Sequence, residues 1–263
     1  MKKRLLCVTA IILIGVTGLF ASGVKEEAPS TAIERIKAKG VLSVATGTYV
    51  PFEYRDPDTD EIVGFDIDFI KLLADRLGVE LKVTDMTFTS LIPTIENGEY
   101  DLAIAAMYNT PARREVVLMS DSYMETGMVL VTQKGNLKNI TSLADCAGLK
   151  VGVKAGATSQ VVAEKGMQEA GIKFTIVGYE ETIGCISDLV AGRIDVVVND
   201  LLNQLELNKV TPEVEIVTKP FTSANLAIAI KKGNEDLLSL VNQLIVDYKA
   251  DGTYAALYKK WLN

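Results

Sequence analysis

The sequence predicts an α/β protein of two lobes, each a mainly parallel sheet flanked by helices. Short apolar runs alternate with stretches of helical period along most of the chain. Glycines stand where the helical stretches end, at Gly40, Gly78 and Gly98. The pattern then starts again. Gly40-Val-Leu-Ser-Val44, a strand entering a Gly/Thr loop, resembles Gly148-Leu-Lys-Val-Gly-Val153 entering Ala155-Gly-Ala-Thr-Ser159. Glu96-Asn-Gly-Glu-Tyr-Asp-Leu-Ala-Ile104 likewise resembles Val190-Ala-Gly-Arg-Ile-Asp-Val-Val-Val198. Two copies of one strand-helix-strand unit imply two lobes of similar build.

Taken in order, Met1-Lys-Lys-Arg4, the apolar run Leu5 to Phe20 and the small residues Ala21-Ser22-Gly23 have the form of a secretory signal over residues 1–23. Cleavage near Ala21 or Gly23 is expected, with an uncleaved N-terminal anchor as the alternative. Lipid anchoring is disfavoured, because Cys7 lies inside the apolar run and no cysteine follows the small residues. Residues 24–30 read as a charged, proline-bearing tether. Thr31 to Gly40 suits a short helix with Ile33 and Ile36 on one face, and Val41 to Ala45 the first strand. Asp56 to Gly64 is a surface turn. Ile70, Leu73, Ala74 and Leu77 mark a helix stopping at Gly78, and Val79 to Val83 a second strand.

Thr89 or Ser90 is expected to cap a helix through Asn97, with Pro93 in its first turn. The buried strand Leu102 to Ala106 follows and ends in a polar turn capped by Thr110-Pro111, beyond which come Arg113 and Arg114. Strand ends of this kind hold ligands in α/β proteins, and an arginine there offers a planar fork to a carboxylate. A solvated surface pair is the alternative. Val116 to Leu118 and Met128 to Val131 read as short strands and Asn225 to Ile230 as another. Leu237, Val241, Leu244 and Tyr248 mark a helix, broken at Asp251-Gly252 before a last helix carrying Tyr254, Leu257, Tyr258 and Trp261.

Composition narrows the chemistry. Removing the first 23 residues moves the formal net charge from −7 to −10, which makes nucleic acid and anionic membrane surfaces poor partners. There is no histidine, so a His-based triad is excluded, as are the usual zinc sites. No metal or cofactor is expected. Cys146 and Cys185 either pair in an oxidising compartment or stay two buried thiols.

Gly47-Thr-Tyr-Val-Pro-Phe-Glu-Tyr54, Gly64-Phe-Asp-Ile-Asp68, Leu91-Ile-Pro93, Asn97-Gly-Glu-Tyr-Asp101, Thr110-Pro-Ala-Arg113, Ser120-Asp121, Gly192-Arg-Ile-Asp195 and Ala250-Asp-Gly-Thr-Tyr254 occur in that order. Together they resemble the polar amino-acid class of extracytoplasmic solute-binding proteins, family 3, which serve ABC importers. The resemblance implies a type II periplasmic binding protein whose lobes are joined by a two-stranded hinge, with lobe one at residues 31–123 and 221–263 and lobe two at 124–220. It implies a monomer that closes on a small amino acid or related zwitterion and delivers it to a permease in the cytoplasmic membrane. A periplasmic dehydratase acting on prephenate-like acids, and the sensing module of a receptor, are the alternatives.

By the same resemblance Arg113 takes the ligand's α-carboxylate, together with Thr158 and the amides that begin the following helix. Asp200 takes the α-ammonium; an ordinary helix N-cap is the reading its spacing also allows. Tyr49 and Phe88 supply rings against the ligand side chain, and Ala106 and Met107 backbone carbonyls. Thr46, Lys154 and Ala157 are expected at the margin of the site. Three positions depart from the family pattern. Thr46 stands where relatives that take cationic side chains carry an acid. Tyr108 stands where a small hydroxyl meets the carboxylate, and Ala157 replaces another hydroxyl. Asp101 and Asp195, each following a glycine turn, are expected to have structural tasks.

Overall fold

The computed structural model describes residues 31–262. The expected signal segment and tether, with Cys7, lie outside the described residues.

Two five-stranded sheets are built on one plan. The first runs, edge to edge, Glu80–Asp85, Val41–Thr46, Leu102–Ala103, Ala229–Ile230, Leu118–Met119. The second runs Thr175–Tyr179, Lys150–Lys154, Val196–Asp200, Met128–Gln133, Val214–Ile216. In each, the first three strands are parallel and the last two pair antiparallel. The sheets are therefore mixed, because strands that follow the crossing between lobes enter from the opposite end. Between the sheets, Met124–Thr126 pairs antiparallel with Ala224–Leu226.

The helices form where the apolar spacing and glycine stops place them. Ala32–Lys39 is opened by Thr31, which accepts from the Glu34 amide, and closed by Gly40 at φ 73°, whose N–H reaches the Ile36 carbonyl at 2.9 Å. Phe65–Leu77 buries Phe65, Phe69, Ile70, Leu73 and Leu77 against the first sheet. Glu235–Ala250 buries Leu237, Val241, Leu244 and Ile245, and Thr253–Trp261 packs on it and on Phe65–Leu77.

The internal repeat is visible in hydrogen bonds. Asp101 accepts from the Ser43 amide at 2.7 Å, and Asp195 accepts from the Lys150 amide at 2.8 Å. Each aspartate's own amide returns to the same residue's carbonyl at 2.9 Å. The structural tasks expected of both acids are thus the same task, tying the third strand of each sheet to the second. The matched residues, Ser43 and Lys150, shift the repeat by one position from the alignment on Gly40 and Gly148.

Several elements differ from expectation. The helix of Pro93 begins at Phe88, so the proline sits inside it rather than in its first turn, and Thr87 precedes it without a side-chain cap. The strand expected over Leu102 to Ala106 pairs only at Leu102 and Ala103, because Ala106 turns to φ 43° and gives its amide to Asp66 rather than to a ladder. Val116 ends a six-residue helix, Pro111–Val116, instead of opening a strand. Asn225 to Ile230 divides between the crossing ladder and the first sheet. Cys146 and Cys185 are free, buried and in different core clusters.

Where the chain crosses between lobes there is no room for a side chain at Gly127. A Cβ there would lie 2.1 Å from the Thr222 carbonyl oxygen and 2.9 Å from the Pro220 Cβ. Gly127→Ala is expected to force the crossing segments apart at a cost of about 2 kcal/mol, lowering Tm on the order of 5 °C in a thermal denaturation.

Candidate functional site

A cleft lies between the sheets, at the carboxyl ends of the parallel strands, where open α/β sheets hold ligands. It encloses about 380 Å³ of empty space, part of it open to solvent. Tyr49, Phe88, Ala106, Tyr108 and Arg113 line it from the first sheet, and Lys154, Ala157, Thr158 and Asp200 from the second. Nine of the residues singled out by sequence therefore converge.

Arg113 lies on the short helix Pro111–Val116, whose cap Thr110 accepts from the Arg113 amide at 3.3 Å. Its Nη1 donates to the Tyr108 carbonyl at 2.7 Å, and its guanidinium stacks 5.2 Å from the centre of the Phe88 ring. Among the described residues, no acid lies within ion-pairing distance of Arg113. Burial pushes its pKa down to about 10. The alternative of a solvated surface pair fits Arg114, which is exposed and donates to Asn109.

Asp200 ends its strand and caps the helix Leu201–Val210, accepting from the Leu202 amide at 2.8 Å. It also lines the cleft. Its Oδ2 accepts from the Tyr108 hydroxyl at 2.5 Å and the Thr126 hydroxyl at 2.8 Å. Burial raises its pKa, and these donors oppose the shift. Tyr108 thus turns its phenol to the acid, which settles how its bulk is placed. Burial, followed by the charge of Asp200, raises the phenol's pKa.

Thr158 is the first residue of the helix Thr158–Ala170, and Ala157 occupies the cap position with no side-chain bond. The first turn of that helix therefore presents amides that no side chain of its own satisfies. Its neighbour Ser159 instead accepts from the Lys154 amide at 3.2 Å.

Lys154, expected at the margin of the site, stands inside it. Its ammonium lies 4.9 Å from the Tyr49 ring centre and 5.4 Å from that of Phe88. It donates to the Thr48 carbonyl at 2.7 Å and pairs with Glu181 at 3.4 Å. The Tyr49 hydroxyl donates to Asn199 at 2.7 Å, and Asn203 donates to the Val50 carbonyl. With Tyr108 on Asp200, these bonds hold the two lobes together across the cleft.

Two expected residues stand outside it. Met107 is fully buried in the core, and its carbonyl takes the Ala227 amide at 2.9 Å, so that oxygen is already paired within the sheet. Thr46 is fully buried too, its hydroxyl bonded to the Ile104 carbonyl at 2.6 Å. Ala105, Met128 and Ser159 line the cleft without having been singled out. Their sequence signal is that of ordinary core residues or a helix start.

Comparison with known proteins agrees with this geometry. Residues 42–263 match the model of bacterial extracellular solute-binding proteins, family 3. The L-cystine-binding protein TcyJ of Escherichia coli (strain K12) is 30% identical over 264 residues, covering 100% of this chain and 96% of that protein. The ABC transporter glutamine-binding protein GlnH of Bacillus subtilis (strain 168) is 33% identical over 279 residues, covering 100% and 98%. A mutant of ArgBP from T. maritima superposes with a TM-score of 0.82 at 34% identity, covering 88% of this chain and 99% of that one. All three are named as binding proteins, none as an enzyme. With this likeness along its length and the two-lobed cleft described above, the chain belongs to family 3 of the bacterial extracellular solute-binding proteins.

Proposed function

We propose that the protein captures a free α-amino acid between lobe one, residues 31–123 with 221–263, and lobe two, residues 124–220, and hands it to an ABC permease in the cytoplasmic membrane. The observation that carries this reading is the half-buried Arg113, its guanidinium partly desolvated and left without an acid among the described residues, while Asp200 of the facing lobe looks into the same cleft. Burying an ion without a partner costs several kcal/mol, so the site is built for a molecule that brings the missing charges.

The α-carboxylate lies on the Arg113 fork and against the amides that open the helix at Thr158, where the helix dipole favours an anion. The α-ammonium goes to Asp200. Its carboxylate accepts from Tyr108, Thr126 and the Leu202 amide, with the Asn203 amide beside them, and all four favour the ionised form that an ammonium requires. The floor at Ala106 and the rings of Tyr49 and Phe88 complete the enclosure.

Lys154 bears on the side chain. Relatives bind cystine, glutamine or, in the case of ArgBP, arginine. Here a lysine ammonium already occupies the faces of Tyr49 and Phe88, the surfaces a cationic side chain would use. A second cation there meets repulsion, whereas a carboxamide or carboxylate meets a donor. The ligand is therefore an amino acid with a neutral or acidic side chain. Residues 1–23 serve as a cleaved export signal without a lipid-attachment cysteine, and the mature protein works as a monomer.

Calorimetry on Arg113→Ala and on Asp200→Asn, which keeps the helix cap, is expected to show ligand affinity at least tenfold weaker in each, about 1.4 kcal/mol or more. Unchanged affinity in both overturns the site. In a thermal-shift screen, L-glutamine and L-glutamate are expected to raise the melting point while L-arginine and L-lysine leave it unmoved. Lys154→Met is expected to narrow that preference at least tenfold in Kd ratio.

A further inference from the structure

Under the floor of the cleft two acids meet with no cation between them. Glu53 closes the loop that carries Tyr49: the Tyr49 amide donates to the Glu53 carbonyl at 2.6 Å, and the Glu53 amide to the Tyr49 carbonyl at 3.1 Å. Asp66 stands in the first turn of Phe65–Leu77, and its amide donates to the Phe52 carbonyl at 2.8 Å, which fixes residue 66 beside residue 53. The approach is close enough that a Cβ on Gly64 would lie 2.2 Å from the Phe52 oxygen and 2.9 Å from the Glu53 nitrogen. Both acid side chains are fully buried.

Asp66 is tied to the cleft. Its Oδ2 accepts from the Ala106 amide at 2.8 Å and from the Tyr123 hydroxyl at 2.9 Å. Ala106 lines the cleft at φ 43°, a left-handed conformation that an L residue keeps only where its surroundings hold it. The Asp66 bond supplies that hold. Counted as bare acceptors, both Glu53 oxygens and Asp66 Oδ1 have no donor among the described residues. With residues 53 and 66 fixed side by side and these oxygens buried together, one carboxyl can serve as the other's donor only if it carries a proton. Asp66, with two donors of its own, is the better anion, so the proton belongs to Glu53.

We propose that Glu53 and Asp66 share one proton and act together as positioning residues that pin the Ala106 amide under the ligand cleft. The other groups facing Glu53 are Lys154, which favours its ionised form, and Glu181, which opposes it; Tyr49 lies alongside. Tyr123 and Tyr254 face Asp66. Burial first, then the charge of Asp66, holds Glu53 well above the usual carboxylate range. A group raised in the folded state lends stability that is complete below its unfolded pKa and fades as pH climbs towards the folded value.

This inference goes beyond the ligand reading, and its tests need no ligand, so either can fail alone. In Glu53→Gln a carboxamide donates to Asp66 at every pH. Its melting point relative to wild type is expected to rise by ~3 °C per pH unit above about pH 6, where Asp66, whose pKa burial raises to about 6, is ionised in both proteins. The infrared band of a protonated carboxylic acid at pH 7 is expected in wild type and lost in Glu53→Gln. Asp66→Asn replaces a charged acceptor with a weaker neutral one. Hydrogen exchange of the Ala106 amide is expected to quicken at least fivefold there, with Leu102 and Ala103 as the local reference. Parallel melting curves across pH, an unfolded Glu53→Gln, no acid band in wild type, or unaltered Ala106 exchange each overturns the proposal.

Discussion

A guanidinium that the chain half buries but declines to neutralise sets the terms for the rest of the molecule. Arg113 keeps one hydrogen bond, to a backbone carbonyl, and one stacked ring. That fixes where the fork points while leaving its charge exposed to whatever enters. Left in water it would be comfortable; placed here it is destabilised until an anion arrives. The features around it preserve that condition. Ala105, Ala106 and Ala157 are too small to fill the space, and Ala157 in particular gives up a helix cap, a loss of about 1 kcal/mol, which leaves the amides after it open. Tyr108 is diverted to Asp200 instead of competing for the fork.

Such a site only works if the two lobes meet around it. Polar contacts help close the cleft, and Lys154, Asn199 and Asn203 direct theirs at residues 48–50. Asn199 is itself held by Asn203 and Gln204 through its amide nitrogen, so the second lobe presents a pre-ordered row of side chains to a short loop of the first. Hydrogen bonds of this kind exchange with water on opening and are individually worth about 1 kcal/mol. They align the closed form without locking it, and the ligand's contacts with both lobes bias the balance in proportion to what it gains only there.

Much of this was legible in the sequence because backbone punctuation is local. Gly40, Gly78 and Gly98 end helices for a reason contained in the residue, and the apolar spacing of Phe65–Leu77 needs no partner to be read. The errors fall where a distant group decides. Ala106 looks like the end of a strand until Asp66 takes its amide. Val116 is the exception, a local miss, since Thr110 and Pro111 open a helix just before it. Thr46 and Met107 flank the site in sequence yet spend their polar groups inside the sheet. Lys154 carries the least local signal of all, since nothing near it in the chain announces that two rings from the other lobe will enclose its ammonium.

The repeat separates scaffold from site. Where the two lobes agree to the level of single hydrogen bonds, as Asp101 and Asp195 do, the residues tie strands together and face away from the cleft. Where they part company, the differences gather at the ends of the same strands. The first lobe continues from its third strand into a left-handed turn braced by buried acids, then a short helix bearing an arginine. The second continues from the matching strand into Asp200 and a capped helix. A duplicated unit supplies two mouths of equal shape, and opposite charge at those mouths has to come from the turns and helices beyond the strand ends. The polarity a zwitterion needs is therefore carried by the segments in which the two copies diverge, while the segments they share need only hold those ends a fixed distance apart.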